Sequence, residues 1–99
     1  MPSKVKTSPA VRRELRRLGS KLKEARLRRR LPQSLVAERA GISRPTLTRI
    51  ERGDSSVSVG SVALTLQALG LLDDWGDLDD PVGDQLSFEQ LPKSIRSPR

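Results

Sequence analysis

Two arginines and two threonines lie close together near the middle of the chain: Arg44, Thr46, Thr48 and Arg49. An arginine fork can donate to the O6 and N7 atoms of guanine together, and a threonine can contact a thymine methyl group or a phosphate. Pro45 fixes the backbone of a first helical turn and offers an apolar contact. These side chains could read the edges of base pairs, provided that a helix presents them together.

The stretch from Gln33 to Arg52 has the spacing of two short helices joined by a sharp turn. Ala37 is small enough for two helices to cross closely, and Gly41 tolerates the positive φ that such a turn requires. Apolar residues at helical spacing supply the inward faces: Val36, Ala40, Ile42, Leu47 and Ile50. The pattern predicts a helix-turn-helix whose second helix, Ser43 to Arg52, carries the candidate reading residues.

A further helix is predicted before this motif. The start signal Ser8-Pro9 and an apolar stripe at helical spacing predict a first helix from Pro9 toward Arg29. Gly19-Ser20 is a weak point at which this helix could break or kink. Pro32 ends it, and the second helix begins at about Gln33.

Two more helices are predicted after the motif. Gly53 ends the second helix of the motif, and a fourth helix runs from the N-cap Ser58 to Gly70. Its inward residues are predicted to be Val62, Leu64 or Thr65, Leu66 and Leu69. Leu71 to Trp75 forms a short fifth helix or turn, with Trp75 in the core or at an interface. The predicted organisation is a flexible basic arm (1–7), a helical domain (8–78) and a tail (79–99).

The charged residues are distributed unevenly along the chain, which its net charge of +7 does not show. Residues 1–53 carry sixteen Lys and Arg against four Asp and Glu, residues 54–90 carry eight acids and no base, and residues 91–99 add three bases. The basic part favours a polyanion, because each neutralised phosphate releases condensed counterions. The acidic part, with Phe88 and Leu91 in the tail, favours a partner on which the tail becomes ordered.

The residues that are missing exclude several classes of function. The chain has no Cys and no His, which removes disulfides, thiolate chemistry, the usual zinc ligands and a histidine base. We therefore expect no enzyme, metal site or cofactor. No signal-peptide core or eighteen-residue apolar run occurs, so we expect a cytoplasmic protein. An alternative function for the basic amphipathic first helix is binding to a membrane surface. Its lack of aromatic anchors argues against that function.

Two stretches of the sequence resemble the XRE/Cro-repressor family of five-helix, lambda-repressor-like DNA-binding domains. They are LGSKLKEARLRRRLPQSLVAERAGISRPTLTRIERG and the later VALTLQALGL. The resemblance spans roughly Leu18 to Trp75 and implies an all-α fold that binds double-stranded DNA through the second helix of the motif. The later text and the tail LPKSIR are similar to HipB-type antitoxins. These pair with HipA-type kinase toxins and repress their own operon, which implies a bacterial, nucleoid-associated repressor.

The resemblance also assigns individual residues. It pairs an Arg of the first helix with a Glu near the end of the recognition helix, here Arg26 and Glu51, as a partly buried ion pair. Pro32 and Pro45 depart from the capping and polar residues that relatives carry. Phosphate contacts are expected at the start of the second helix, where free N–H groups favour anions, and around the recognition helix: Gln33, Ser34, Ser43, Arg52, Ser55 and Ser56.

Two arginines are too few to give a repressor its specificity. Two bidentate contacts supply about 2–6 kcal/mol of discrimination, against about 4–10 kcal/mol for typical specific binding. We therefore expect a homodimer on a pseudo-palindromic operator with half-sites about 34 Å apart. The dimer or partner interface is expected at Leu71, Leu72, Trp75, Phe88 and Leu91. Two alternatives stay open, namely a free-standing XRE-family regulator without a toxin partner and non-specific nucleic-acid binding by the basic half.

Overall fold

The computed structural model describes residues 6–77, 80 and 92–96 of the chain. All regular structure in these residues is helical, which confirms the predicted all-α fold. The helices are α1 (Pro9–Arg28), α2 (Gln33–Ala40), α3 (Arg44–Glu51), α4 (Val59–Ala68), α5 (Leu72–Trp75) and α6 (Lys93–Arg96). None of these described helices has both the length and the apolar character needed to cross a bilayer. Most of the predicted arm, and Phe88 and Leu91 of the predicted tail, lie outside the described residues.

Helix α6 is a single turn inside the segment predicted as a tail, where periodicity indicates no helix. Pro92 precedes it, and the N–H of Ile95 donates to the Pro92 carbonyl at 3.0 Å. A proline at the start of a helix fixes φ for the first turn. The five helices predicted for the domain 8–78 are α1 to α5. Helix α6 is an additional one that the sequence does not indicate, because four residues are too short for a hydrophobic period to appear.

Serine side chains start three of the four longer helices. The Oγ atoms of Ser8, Ser43 and Ser58 accept the N–H of the residue three positions on, at 3.1, 3.2 and 3.0 Å. Each bond satisfies one of the N–H groups that a helix leaves open at its start. Helix α2 instead follows Pro32, which gives no side-chain cap, as the sequence predicts.

The turn between α2 and α3 has the predicted conformation. Gly41 has a φ of 71°, in the left-handed region that favours glycine. The N–H of Ile42 then donates to the carbonyl of Ala37 at 3.0 Å and closes the end of α2. Ala37 is itself buried, so α2 and α3 can approach closely.

Helix α1 continues through Gly19 and Ser20, so it does not break at this predicted weak point. A Cβ atom on Gly19 would lie 2.5 Å from the carbonyl oxygen of Ile50 and 2.6 Å from that of Glu51. This glycine therefore marks the point at which α1 crosses the C-terminal end of α3. Its low helix propensity favours a break, but the packing of α1 against α3 outweighs that preference.

The core lies between α1, α2, α3 and α4. Its buried apolar residues are Leu22, Ala25, Val36, Ala37, Ala40, Leu47, Ile50, Leu66 and Leu69. Leu64 and Thr65 are the two candidates for one inward position of α4. Thr65 is fully buried, whereas Leu64 is 42% exposed, so Thr65 occupies that position. The Thr65 hydroxyl donates to the Ser61 carbonyl at 2.9 Å, so a polar side chain can occupy this core position.

Helix α5 only partly covers this core. Leu71 and Leu72 are half-buried against it, whereas Trp75 is 40% exposed. Of the two predicted placements of Trp75, the core placement is wrong. The helix has a single turn and Trp75 is its last residue, so the indole lies at the edge of the apolar cluster.

Candidate nucleic-acid interface

Helix α3 divides its residues between a buried and an exposed face. Leu47, Ile50 and Glu51 are buried. The opposite face and the residue after the helix line an open cleft of about 400 Å³, which we name the α3 cleft: Arg44, Pro45, Thr48, Arg49 and Arg52. Three guanidinium groups thus share one surface, where they can donate to base edges and phosphates.

Thr46 lies off this surface. It is half-buried, and its hydroxyl shares a hydrogen bond of 2.8 Å with the hydroxyl of Ser43. Each residue rotates the direction of a helix side chain by about 100°, so positions 44, 45, 48 and 49 fall on one side and position 46 on another. The sequence spacing shows that these residues face outward but does not separate Thr46 from Thr48. The base contact predicted for Thr46 stays a prediction.

A buried ion pair joins the C-terminal end of α3 to α1. Arg26 donates from Nε to Oε2 of Glu51 at 2.7 Å and from Nη2 to Oε1 at 3.1 Å. The two side chains are only 9% and 5% exposed. The Nη1 atom of Arg26 donates to the carbonyl of Leu31 at 3.0 Å, so the same residue also holds the loop before α2. The structure brings together the two residues that the resemblance pairs.

Gln33 connects this ion pair to the exposed face of α3. Its Nε2 atom donates to Oε1 of Glu51 at 3.0 Å. Its Oε1 atom faces Nε of Arg44 and the hydroxyl of Thr48, each at 3.4 Å. Every buried side-chain nitrogen and oxygen among the described residues has a partner. The amide of Gln33 is therefore already engaged inside the protein, and its predicted phosphate contact stays a prediction.

The geometry so far combines a glycine turn, a small residue at a helix crossing and an exposed basic helix fixed at one end. A family model described as a helix-turn-helix domain matches residues 17–75, more than half of the chain. The chain belongs to this helix-turn-helix family. The helix-turn-helix protein is accordingly an XRE-like DNA-binding regulator, and domains of this family are typically not enzymes. A search of curated proteins finds no match.

Other predicted phosphate residues of the helix-turn-helix protein lie at the start of α2 and after α3. Ser34 is exposed in the first turn of α2. In the turn after α3, Ser55 is half-buried, and Ser56 donates from its N–H and its hydroxyl to Oδ1 of Asp54 at 2.8 and 2.7 Å. This turn is held in shape by its own hydrogen bonds, and the hydroxyl proton of Ser56 is already used.

Arg52 also lines a second cleft of about 450 Å³, which we name the α1 cleft. The other cationic residues of the α1 cleft come from the beginning of the chain: Lys6, Arg12 and Arg16. Sequence reasoning missed these three residues. A spacing of four places Arg12 and Arg16 on one face of α1, but the sequence does not show that this face meets the turn after α3.

The helix-turn-helix protein also has an apolar groove of about 300 Å³ where α1, α4 and α5 meet. The groove is lined by Leu18, Lys21, Leu22, Leu66, Leu71, Asp74 and Trp75. The structure thus brings together Leu71 and Trp75 of the predicted interface. Leu72 packs against the core instead of lining this groove.

Proposed function

We propose that this chain is a transcriptional repressor that binds a pseudo-palindromic DNA operator as a homodimer through α3. The observation that carries the proposal is the division of α3 into two parts. Its exposed face lines a cleft with three arginines, while the bidentate Arg26–Glu51 pair holds its C-terminal end. Fixing one end of a recognition helix limits the orientations in which its arginines can meet the major groove.

Arg44 and Arg49 are the residues proposed to read guanine, because their forks can reach O6 and N7 together. Thr48 and Pro45 share the α3 cleft with them and offer apolar contacts suited to a thymine methyl group. Thr46, together with its partner Ser43 at the N-terminus of α3, is better placed for a phosphate than for a base.

Backbone phosphates are proposed to bind on both sides of this helix. Helix α2 has no side-chain cap, so its first N–H groups, at Gln33 and Ser34, can donate to an anion. Beyond α3, Arg52 and Ser55 are proposed to hold the backbone of the same half-site. Ser56 supports that turn through Asp54.

The homodimer is proposed to form around the apolar groove beside α5. Trp75 is 40% exposed at the edge of this groove, next to the half-buried Leu71. A second copy that covered the indole would bury apolar area and double the number of reading arginines. Trp75 is the only tryptophan of the chain, so its emission reports this contact directly. A blue shift that grows with protein concentration is expected. Trp75→Ser removes the fluorophore, and it should abolish the dimer in sedimentation.

We further propose that this repressor is the antitoxin of a HipA-type kinase toxin, acting in the bacterial cytoplasm on its own operon. The support is the acidic segment 54–90 and the tail LPKSIR. Purification of the native complex followed by mass spectrometry should then recover a kinase-like protein. Phe88→Ser with Leu91→Ser should release that protein and leave DNA binding intact.

A free-standing regulator without a toxin is the second candidate. One observation favours it: the family match ends at residue 75, before the tail on which the antitoxin resemblance depends. Recovery of the repressor without a second protein, from cells that express it at its natural level, would select this candidate.

Selection of bound duplexes from a randomised pool tests the DNA-binding proposal. The expected site has two-fold symmetry with half-sites about 34 Å apart. Arg44→Ala and Arg49→Ala should remove the preference for that site and spare much of the salt-dependent background affinity. Arg39→Ala, an exposed arginine of α2 outside the α3 cleft, is the matched control. An unaltered preference in the Arg44 and Arg49 variants would contradict the proposal.

A further inference from the structure

Among the described residues that line the α1 cleft, four are cationic and none is acidic. Lys6 precedes α1, Arg12 and Arg16 lie in its first half, and Arg52 follows α3. The hydroxyl of Ser55 adds a neutral hydrogen-bonding group. We propose that the α1 cleft binds phosphates of the DNA backbone that flank the bases read by α3. The first half of α1 is then part of the DNA-binding surface.

The α1 cleft exists because α1 lies directly against the turn that follows α3. Gly53 has a φ of 77°, and a Cβ atom there would lie 2.6 Å from both the Cα and the N atom of Arg16. A residue with a side chain would force these two backbones apart. The contact therefore brings Arg16 beside Arg52, the neighbour of Gly53 in the chain. Arg12 lies one helical turn earlier on the same face of α1.

The cationic groups of the α1 cleft are not neutralised by the described part of the chain. Arg12 donates to the carbonyl of Thr7, a neutral acceptor that fixes the side chain and leaves its charge in place. Arg16 and Arg52 form no ion pair with any described residue. The exposed ion pairs of α1 join other residues: Glu14 with Arg17 and Glu24 with Arg28. Two like charges at this spacing destabilise a helix by a few tenths of a kcal/mol, and a bound anion removes that repulsion.

Continuity with the α3 cleft identifies the anion. Arg52 lines both clefts, so a polyanion that lies along α3 passes into the α1 cleft at this residue. Guanidinium groups match phosphate oxygens in bidentate geometry. A single small anion could engage only part of a cleft of about 450 Å³, whereas a nucleic-acid backbone supplies successive phosphates. DNA is the polyanion here because this inference rests on the proposed function.

Three of the four cationic residues of the α1 cleft lie before the segment that the family model matches. Residues 6, 12 and 16 precede the segment 17–75 that the family model matches. The phosphate contacts proposed for these three residues would lengthen the footprint of each half-site on one side.

The test compares two double variants of the full chain that remove the same charge from the same helix. Arg12→Ala with Arg16→Ala removes two arginines of the α1 cleft. Arg13→Ala with Arg17→Ala, at the same spacing, removes two exposed arginines outside it. Equal thermal midpoints for both variants and the unmodified protein establish that neither change unfolds the domain.

Affinity for duplex DNA is measured by fluorescence anisotropy over a range of salt concentrations. Each lost phosphate contact lowers the slope of log K against log salt by about 0.9, so the cleft variant should lose about 2 from the slope and the control variant less than half of that. Affinity should fall by the same factor for every sequence, because phosphates carry no base information. Hydroxyl-radical footprints of the cleft variant should lose protection at one flank of each half-site and keep it at the centre.

Equal slopes and equal footprints for the two double variants would overturn the inference while leaving the proposed function intact. If the unmodified protein selects no operator, the proposed function fails, and the slopes on random duplex still decide the role of the α1 cleft. Binding of inorganic phosphate that is lost in the cleft variant, with an unchanged slope on duplex, would show a small-anion site and also overturn the inference.

Discussion

The two ends of α3 are built differently, although only eight residues separate one cap from the other. At the N-terminal end Arg44 and Pro45 are exposed, and Ser43 supplies the cap. At the C-terminal end Ile50 and Glu51 are buried beneath α1. The contacts that orient the helix and the side chains proposed to read DNA thus belong to different residues. A change at one end should alter folding stability, and a change at the other should alter sequence preference.

Breaking the ion pair at the buried end should have the largest effect. Arg26→Ala or Glu51→Ala leaves a buried charge without its partner, and each should lower the free energy of unfolding by about 3–5 kcal/mol. Combining both changes should cost less than the sum, which a double-mutant cycle in urea measures.

The exposed pair of Glu24 and Arg28 in α1 is the control, with side chains that are 59% and 77% exposed. Arg28→Ala should cost no more than about 0.5 kcal/mol. A similar cost for Arg26→Ala and Arg28→Ala would show that burial of the Arg26–Glu51 pair does not matter.

Separating α1 from α3 should have the next largest effect. Gly19→Ala places a Cβ atom 2.5 Å from the Ile50 carbonyl oxygen, and Gly53→Ala places one 2.6 Å from the Arg16 backbone. Each should lower the free energy of unfolding by about 1–3 kcal/mol, because overpacked backbones must move apart. A Gly19→Ala variant more stable than the original in urea would mean that helix propensity, and not the crossing, decides the role of this residue.

Changing the exposed face of α3, which Arg49 continues into the last turn, should affect binding and leave folding alone. Arg49→Ala should lower discrimination between the operator and a variant site by about 1–3 kcal/mol, the value of one bidentate contact. Its free energy of unfolding should stay within about 0.5 kcal/mol, because the side chain is exposed. Anisotropy on matched and mismatched duplexes, set beside urea unfolding, checks both. Loss of stability in this variant would remove the distinction between the exposed face and the buried C-terminal end of α3.

The smallest expected effect has the opposite sign. Gly60 lies in the first turn of α4, where a Cβ atom would meet only the Ser58 hydroxyl oxygen, at 3.8 Å. Gly60→Ala should raise the free energy of unfolding by about 0.4–1 kcal/mol, because alanine loses less backbone entropy on folding. The contrast with Gly19→Ala separates the general effect of a glycine in a helix from the effect of a helix crossing. Thermal unfolding of both variants under one buffer condition measures it.

The sequence predicts the features that depend on neighbours in the chain. Ser8, Ser43 and Ser58 start helices, and Gly41 makes the turn, because each acts through bonds that span a few residues. The family resemblance adds the contact between positions 26 and 51, which no local pattern indicates.

Features that depend on how helices meet could not be predicted. Taken alone, the low helix propensity of Gly19 favours a break in α1. The close contact of Gly19 with the backbone of α3 explains why α1 continues. Thr65 and not Leu64 is buried because of the rotation of α4 about its axis. Hydrophobic periodicity does not determine that rotation to within one residue. Nothing in the sequence separates Arg12 and Arg16 from the other arginines of α1, because their place in the α1 cleft depends on where α1 meets Gly53.

The exposed residues of α3 also bear on how such a protein could acquire a new target. Arg44, Pro45 and Arg49 are exposed and lie outside the buried core, so exchanging them leaves the packing of that core unchanged. An engineer could graft another set of reading residues onto α3 while keeping Leu47, Ile50 and the residues that hold Glu51. In evolution, single substitutions at these exposed positions could change the set of genes that such a protein regulates.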